Sequence, residues 1–96
     1  MREYEIMYII RTTIAEDEVK KVAKSFEKVI TDNGAKIKDV TEMGQRELAY
    51  EINDYKSGYY YVITIEANDD KAINEFDRLA RNSKDVVRHL ITKKED

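Results

Sequence analysis

Apolar and aromatic residues alternate with other residues at the start of the chain and predict a β-strand. Every second residue of this segment is large and apolar or aromatic: Tyr4, Ile6, Tyr8 and Ile10. Side chains two residues apart share one face of a strand, so this set forms one face. Met7 and Ile9 make the other face apolar as well. We therefore expect this strand to lie in the middle of a sheet.

The spacing then changes to that of an amphipathic helix. Thr13 and Glu16 fit the capping box that begins many helices. The apolar residues that follow recur at helical spacing: Val19, Val22, Ala23, Phe26, Val29 and Ile30. Gly34 comes just after them, and glycine readily adopts the left-handed conformation that ends a helix.

Three strands and a second helix are predicted after Gly34. Ile37 and Val40 break strict alternation, so a strand here needs a bulge or a bend if both face the core. Gly44 is a second candidate break. Two strands then flank turn-forming residues 53–58, with one face each made by Leu48, Tyr50 and Ile52 and by Tyr59, Tyr61, Ile63 and Ile65.

The last third of the chain completes the pattern. Asn68 or Asp69 is expected to cap a second helix, and residues 86–91 are expected to form a last strand. The apolar stripe of that helix is Ala72, Ile73, Phe76, Leu79 and Ala80. The order β-α-β-β-α-β predicts an α+β, ferredoxin-like fold as one domain over residues 1–96. Both helices should cover one face of a four-stranded antiparallel sheet, which leaves the other face to water or to a partner.

Composition narrows the chemistry. The 96 residues include three glycines and no proline or cysteine, so we expect long regular elements and no disulfide, thiolate zinc site or thiol catalysis. The absence of cysteine fits a reducing cytoplasm. No charged-then-apolar leader and no apolar run of membrane-spanning length is visible, so we expect neither a secretory signal nor a span.

The cations are unevenly distributed, although the net charge is −3. Positions 78 to 94 contain a single acidic residue, Asp85. The same segment contains six cations: Arg78, Arg81, Lys84, Arg88, Lys93 and Lys94. For Arg78 a solvated helix face is the simpler interpretation. The cations that continue into and past the last strand could meet phosphates, because local potential matters more than the total.

The residues needed for catalysis are missing. His89 is the one histidine, and no acid ligands are patterned around it for a metal. No serine has the setting of a nucleophile, and no glycine-rich phosphate loop occurs. We therefore expect no catalytic residue, no metal, no cofactor, no small-molecule substrate and no enzymatic activity.

The tyrosines leave three interpretations open. Tyr8 and Tyr61 are best explained as core residues of strands. Residues 56–62 weakly match the RNA-recognition signature, which would place bases on an open sheet. Alternatively, tyrosines of the hairpin anchor a protein interface.

Several segments together resemble the bacterial small-subunit ribosomal protein S-six (S6) family. They are Met1-Arg2-x-Tyr4-Glu5, Gly34-Ala35, Gly44-x-Arg46-x-Leu48-Ala49-Tyr50-x-Ile52, Gly58-Tyr59-Tyr60 and Asp85-Val86-Val87-Arg88-His89. The Gly-x-Arg-x-Leu-Ala-Tyr segment is the specific one. The resemblance implies the fold predicted above. It also implies a structural role on the cytoplasmic ribosome, binding 16S ribosomal RNA together with small-subunit protein S-eighteen (S18), without catalysis.

Carried to this chain, the resemblance gives two sets of candidate residues. The RNA contacts are Arg2, Arg88 and Lys93, followed by Arg46 and His89. The first and last strands are neighbours in this fold, so we expect the cations of the two chain ends to form one patch. The candidates for the protein partner are Leu48, Tyr50, Tyr59 and Tyr60. The alternative function is a ferredoxin-like protein-interaction or regulatory module, because this fold hosts many functions.

Overall fold

Four strands and two helices alternate as the sequence predicts. A computed structural model describes the backbone of residues 2–52 and 55–94 and the side chains of residues 2–48 and 57–94. The elements are β1 (Arg2–Arg11), α1 (Glu16–Asp32), β2 (Lys36–Ile52), β3 (Tyr55–Ala67), α2 (Lys71–Asn82) and β4 (Val86–Lys94). The sheet has the order β2-β3-β1-β4, and its neighbouring strands are antiparallel. The α+β, ferredoxin-like fold is confirmed, and β1 is a central strand as expected.

The register decides which side of the sheet each residue occupies. Tyr8 lies opposite Tyr61 of β3 and His89 of β4, so these three residues are on one side. We call it the helix face, because Tyr8 contacts the ring of Phe26 from α1. The other side, which carries Met7, is the open face.

The core lies between the helix face and the two helices. Tyr8 and Tyr61 stack with ring centroids 5.2 Å apart and planes at 7°. Phe26 of α1 and Phe76 of α2 meet edge to face at 5.2 Å beside them. This confirms the interpretation of Tyr8 and Tyr61 as core residues, and such aromatic pairs add about 0.5–1.5 kcal/mol beyond their buried area.

The two ends of α1 differ in how well the sequence predicted them. Its N-cap is Ala15, which makes no side-chain cap bond, so the predicted capping box at Thr13 is wrong. The Thr13 hydroxyl instead accepts a hydrogen bond from Arg11. Gly34 does end the helix, with φ of +89°. Its N–H donates to the Thr31 carbonyl, which satisfies one of the free acceptors at the helix terminus.

β2 is an edge strand whose register against β3 shifts at three places, the last of them between Glu47 and Ile52. The register shifts between Ile37 and Asp39, which confirms the bulge predicted in this segment. It shifts again between Glu42 and Gly44, where Gly44 has φ of +78°. The strand nevertheless continues past Gly44, so this glycine kinks β2 without ending it.

The N-cap of α2 is Asp70, which makes no side-chain cap bond, so the predicted cap at Asn68 or Asp69 is wrong by at least one residue. The Asp69 carboxylate accepts a hydrogen bond from the Lys71 N–H at 3.0 Å. Over the described residues, neither helix is long and apolar enough to cross a membrane.

Candidate nucleic acid and protein interfaces

The predicted RNA contacts do not form one patch. Arg2 lies opposite Ala67 at one end of β1, on the helix face, whereas Arg88 lies opposite Ile9 on the open face. Seven positions of β1 separate the two levels, or about 23 Å along the strand. The expectation that cations of the two chain ends converge is therefore wrong, although β1 and β4 are neighbours. Adjacent strands bring residues together only where register and face also agree.

Arg2 and Lys93 form a first cationic group on the helix face. Lys93 lies opposite Tyr4, two residues from Arg2, and both cations are exposed. The Arg2 guanidinium is 3.6 Å from a carboxylate oxygen of Asp70, just before α2. The Tyr4 hydroxyl donates to the same oxygen at 3.0 Å. Arg2 is thus held beside the start of α2, where the carboxylate of Asp70 partly neutralises its positive charge.

Arg46 and Arg88 form a second group at the other end of the open face. Arg88 and Tyr60 both lie opposite Ile9, from its two sides. Gly44 lies opposite Tyr60, and Arg46 is the next residue of β2 on that face. Arg46 is held by a long hydrogen bond from its Nε to the Met43 carbonyl, at 3.4 Å. Tyr60 of β3 therefore lies on the open face between two arginines that belong to the opposite edge strands of the sheet.

His89 belongs to neither cationic group. It lies on the helix face of β4, where its Nε2 is 2.8 Å from a carboxylate oxygen of Asp77. The other oxygen of Asp77 pairs with Arg81 at 3.0 Å, and the His89 ring packs edge-on against Phe76. His89 therefore ties β4 to α2, which is a structural task.

The predicted partner residues fall on different sides of the sheet. Tyr60 is on the open face, but Tyr59 is on the helix face and packs against the core. Leu48 is half-buried. The side chain of Tyr50 lies outside the described residues.

The alternation in β3 also decides the RNA-recognition interpretation. The aromatic positions of that signature fall on Tyr59 and Tyr61, which turn toward the helices. They cannot stack bases on the open face, and the resemblance to that signature has no functional meaning here.

An apolar row crosses the middle of the open face. Val62 and Leu90 lie opposite Met7 from its two sides, and these three residues form the row. Leu90 is 49% exposed. The sequence analysis noted Met7 only as evidence for a central strand. Its signal was the apolar second face of β1, which two helices on one side of a sheet cannot cover.

A charged row crosses the open face at the end nearest Arg2. Lys38 lies 3.4 Å from Glu3 and 3.2 Å from Glu66. Lys94 lies 3.7 Å from Glu3 and 3.8 Å from Glu5. The hydrogen bond to Glu66, with the nearby Glu3, raises the pKa of Lys38. These lysines are committed to neighbouring carboxylates, so the row supplies little positive potential.

The helix side offers grooves, and the described residues form no catalytic arrangement there. A shallow groove of about 570 Å³ runs between α1 and the β2 edge and contains Lys20, Lys24, Glu27 and Glu42. In the part of the chain that the structure describes, no group of three or more metal-binding side chains occurs.

Comparison with known proteins agrees with this geometry. The family model described as ribosomal protein S6 matches residues 3–93. The crystal structure of 30S ribosomal protein S6 from Thermotoga maritima superposes with a TM-score of 0.93. The two sequences are 29% identical, and the match covers 97% of this chain and 87% of the other. With one family model spanning nearly all of its sequence, this chain belongs to the ribosomal protein S6 family.

Proposed function

We propose that this small-subunit ribosomal protein binds 16S ribosomal RNA together with S18 on the cytoplasmic ribosome, as a structural component without enzymatic activity. The observation that carries the proposal is the open face. It presents an apolar row to solvent, with Leu90 49% exposed, and two arginines at one end. Exposed apolar surface beside cations is typical of a site that binds a protein partner and a nucleic acid side by side.

Protein binding is supported by the composition of the open face. Met7, Val62 and Leu90 offer apolar contact area, and the ring of Tyr60 stands next to them. Tyrosine and arginine are frequent anchors of protein interfaces. We assign Tyr60 and Leu48 to the S18 contact and keep Tyr50 as a candidate. Tyr59 contributes from beneath, by fixing the strand that carries Tyr60.

The exposed arginines support RNA binding. The negative net charge of the protein indicates that it binds RNA weakly without its partner. Arg46 and Arg88 can meet phosphates from the open face, and Arg2 and Lys93 from the helix side. The net charge of −3 and the pairing of Arg2 with Asp70 keep the affinity of the isolated protein low. A partner that adds its own cations increases counterion release and therefore affinity.

The absence of enzymatic activity is supported by the setting of His89. Its Nε2 is occupied by Asp77, and its ring lies against Phe76. A general base must reach a substrate proton, and this side chain is only 19% exposed.

The test is a titration of 16S RNA with this protein at several salt concentrations, with and without saturating S18. We expect weak binding alone and a marked gain with S18. Arg88→Ala should weaken binding and reduce the magnitude of the slope of log K against log salt by about 0.7–0.9, the value for one phosphate contact. Arg78→Ala is the matched control, because Arg78 pairs with Glu75 at 2.8 Å on α2.

The outcomes separate the parts of the proposal. An affinity unchanged by S18 contradicts joint binding. A salt slope that Arg88→Ala leaves unchanged removes Arg88 from the contacts. Loss of the protein from ribosomes in a high-salt wash would favour the alternative, a ferredoxin-like interaction or regulatory module.

A further inference from the structure

Asp70 lies between a hydroxyl of the core and a cation of the surface. Its Oδ1 accepts a hydrogen bond from the Tyr4 hydroxyl at 3.0 Å, and Tyr4 is only 6% exposed. The same oxygen lies 3.6 Å from Nη1 of Arg2. The buried tyrosine therefore holds the carboxylate in a fixed position beside the guanidinium.

The ion pair between Arg2 and Asp70 is weak enough to be exchanged for another. Its distance of 3.6 Å is long, and the two side chains are 52% and 61% exposed. Exposed pairs of this kind stabilise a protein little, because water screens both charges. The guanidinium can therefore leave the carboxylate for an RNA phosphate, to which arginine donates two parallel hydrogen bonds.

A phosphate that approaches Arg2 also meets the carboxylate of Asp70. Lys93 lies opposite Tyr4 on β4 and is exposed, so its charge attracts the RNA backbone to this end of the sheet. The carboxylate occupies Arg2 there, and its negative charge repels the phosphate. We propose that Asp70 is an internal competitor of RNA, which Tyr4 holds at Arg2 and which lowers the affinity of this arginine for phosphate. This inference rests on the RNA contact of Arg2 in the proposed function.

The helix that follows does not depend on the charge of Asp70. Asp70 is the N-cap of α2, but its side chain makes no cap bond. The Lys71 N–H donates to Asp69 instead, at 3.0 Å. Asp70→Asn keeps a side-chain oxygen that can accept from Tyr4, so this substitution removes the competing charge and retains the local structure.

Competition by Asp70 acts against RNA that offers only negative charge. Each RNA that contacts Arg2 has to displace the carboxylate. An RNA that also contacts S18 or the open face has binding energy to do so, whereas one held by a few phosphates does not. Asp70 therefore favours assembly over nonspecific binding, because specificity arises as much from weakening wrong complexes as from strengthening the right one.

A titration of 16S RNA at low salt, with saturating S18, tests the competition. Asp70→Asn should bind at least about threefold more tightly than the wild type, the scale expected for an exposed ion pair. The gain should disappear when Asp70→Asn is combined with Arg2→Ala and compared with Arg2→Ala alone, because the carboxylate then has no guanidinium to occupy. It should also shrink as salt is added, since exposed charges are screened.

Asp69→Asn is the matched control. It removes the same charge one residue away, from a carboxylate that contacts the Lys71 N–H. Its effect on RNA affinity should be smaller than that of Asp70→Asn and should persist in the Arg2→Ala background. Circular dichroism and thermal unfolding check that each variant is folded.

An affinity that Asp70→Asn leaves unchanged overturns the proposal, provided that Arg2→Ala weakens binding. A gain that persists in full without Arg2, or that Asp69→Asn equals, overturns it as well, because general repulsion then explains the result. Arg2→Ala that binds like the wild type would instead remove Arg2 from the RNA contacts of the proposed function, and the competition with it.

Discussion

The Tyr8 hydroxyl is buried at the centre of the core without a hydrogen-bond partner among the described residues. Its ring is held between Tyr61 and Phe26. The hydroxyl oxygen therefore cannot move to reach a hydrogen-bond partner. Burial raises the pKa of Tyr8 well above the usual value of 10.0. The ring therefore stabilises the core, while its oxygen opposes folding.

Tyr8→Phe should stabilise the protein by about 1 kcal/mol, because an unsatisfied buried hydroxyl costs about 1–3 kcal/mol and the ring contacts remain. Urea unfolding gives the free energy of unfolding. Tyr4→Phe is the matched control, since it removes a hydroxyl that does donate, to Asp70 at 3.0 Å. That variant should lose stability, and a loss in Tyr8→Phe would show that its hydroxyl has a partner.

The pH dependence of Tyr8→Phe gives a second measure of the same effect. Above pH 10 the unfolded chain releases the Tyr8 proton and the folded chain keeps it, so stability falls as pH rises. Tyr61 contributes in the same direction, because burial also raises its pKa. Between pH 10 and 11 the wild type should lose more stability than Tyr8→Phe. Parallel curves would contradict the burial of this hydroxyl.

At the scale of elements, β1 and β3 approach closely at Gly58. A Cβ added to Gly58 would meet Cγ2 of Ile9 and lie 3.3 Å from the Ile10 carbonyl oxygen. Ile9 is 2% exposed although it belongs to the open face. Its side chain covers the bare backbone of Gly58, which explains its burial.

Gly58→Ala should destabilise the protein by about 1–3 kcal/mol, the usual range for an overpacked site. Thermal unfolding measures the effect. Gly58→Ala combined with Ile9→Ala should cost less than the sum of the two single changes, because the smaller side chain makes room. Additive losses would mean that Ile9 does not cover Gly58.

Local patterns predicted the order of the elements because hydrophobic period is a local property. The turn predicted over residues 53–58 is too long, since β3 already begins at Tyr55. The bulge after Ile37 followed from two apolar residues that could share a face only if the strand was irregular. The capping box failed because tertiary contacts override it. Arg11 pairs with Asp85 at 2.8 Å and donates to Thr13, and α1 begins only at Glu16.

The face of β4 could not be predicted from its sequence. Val86, Val87, Leu90 and Ile91 are apolar at both parities, so alternation does not tell which residues meet the helices. A register shift beside Ile9 and Ile10 adds a further change. The positions of Arg88 and His89 were therefore set by pairing with β1, and the predicted cationic patch failed for this reason.

For the whole molecule, the two cationic groups constrain any RNA that contacts both. Arg2 and Arg88 are separated by about 23 Å along the strand and lie on opposite sides of the sheet. An RNA that reaches both has to pass from one side of the sheet to the other, and the β4 edge offers an exposed cation on the way, Lys93.

Arg2→Ala and Arg88→Ala should therefore have additive effects on RNA affinity in the presence of S18, because sites this far apart rarely couple. Filter binding of the two single variants and of the double variant measures the free energies. Lys71→Ala, an exposed cation on α2, is the control and should change little. A double variant no weaker than Arg88→Ala would place the RNA on the open face alone.

The irregularities of β2 have a consequence for a protein made in large amounts. An outer strand with an unbroken line of free N–H and C=O groups is a template on which further chains can add and grow into fibrils. The shifts at Ile37–Asp39, at Glu42–Gly44 and at Glu47–Ile52 interrupt that line and bend it. Newly made copies that wait for a ribosome are thereby protected from polymerising edge to edge.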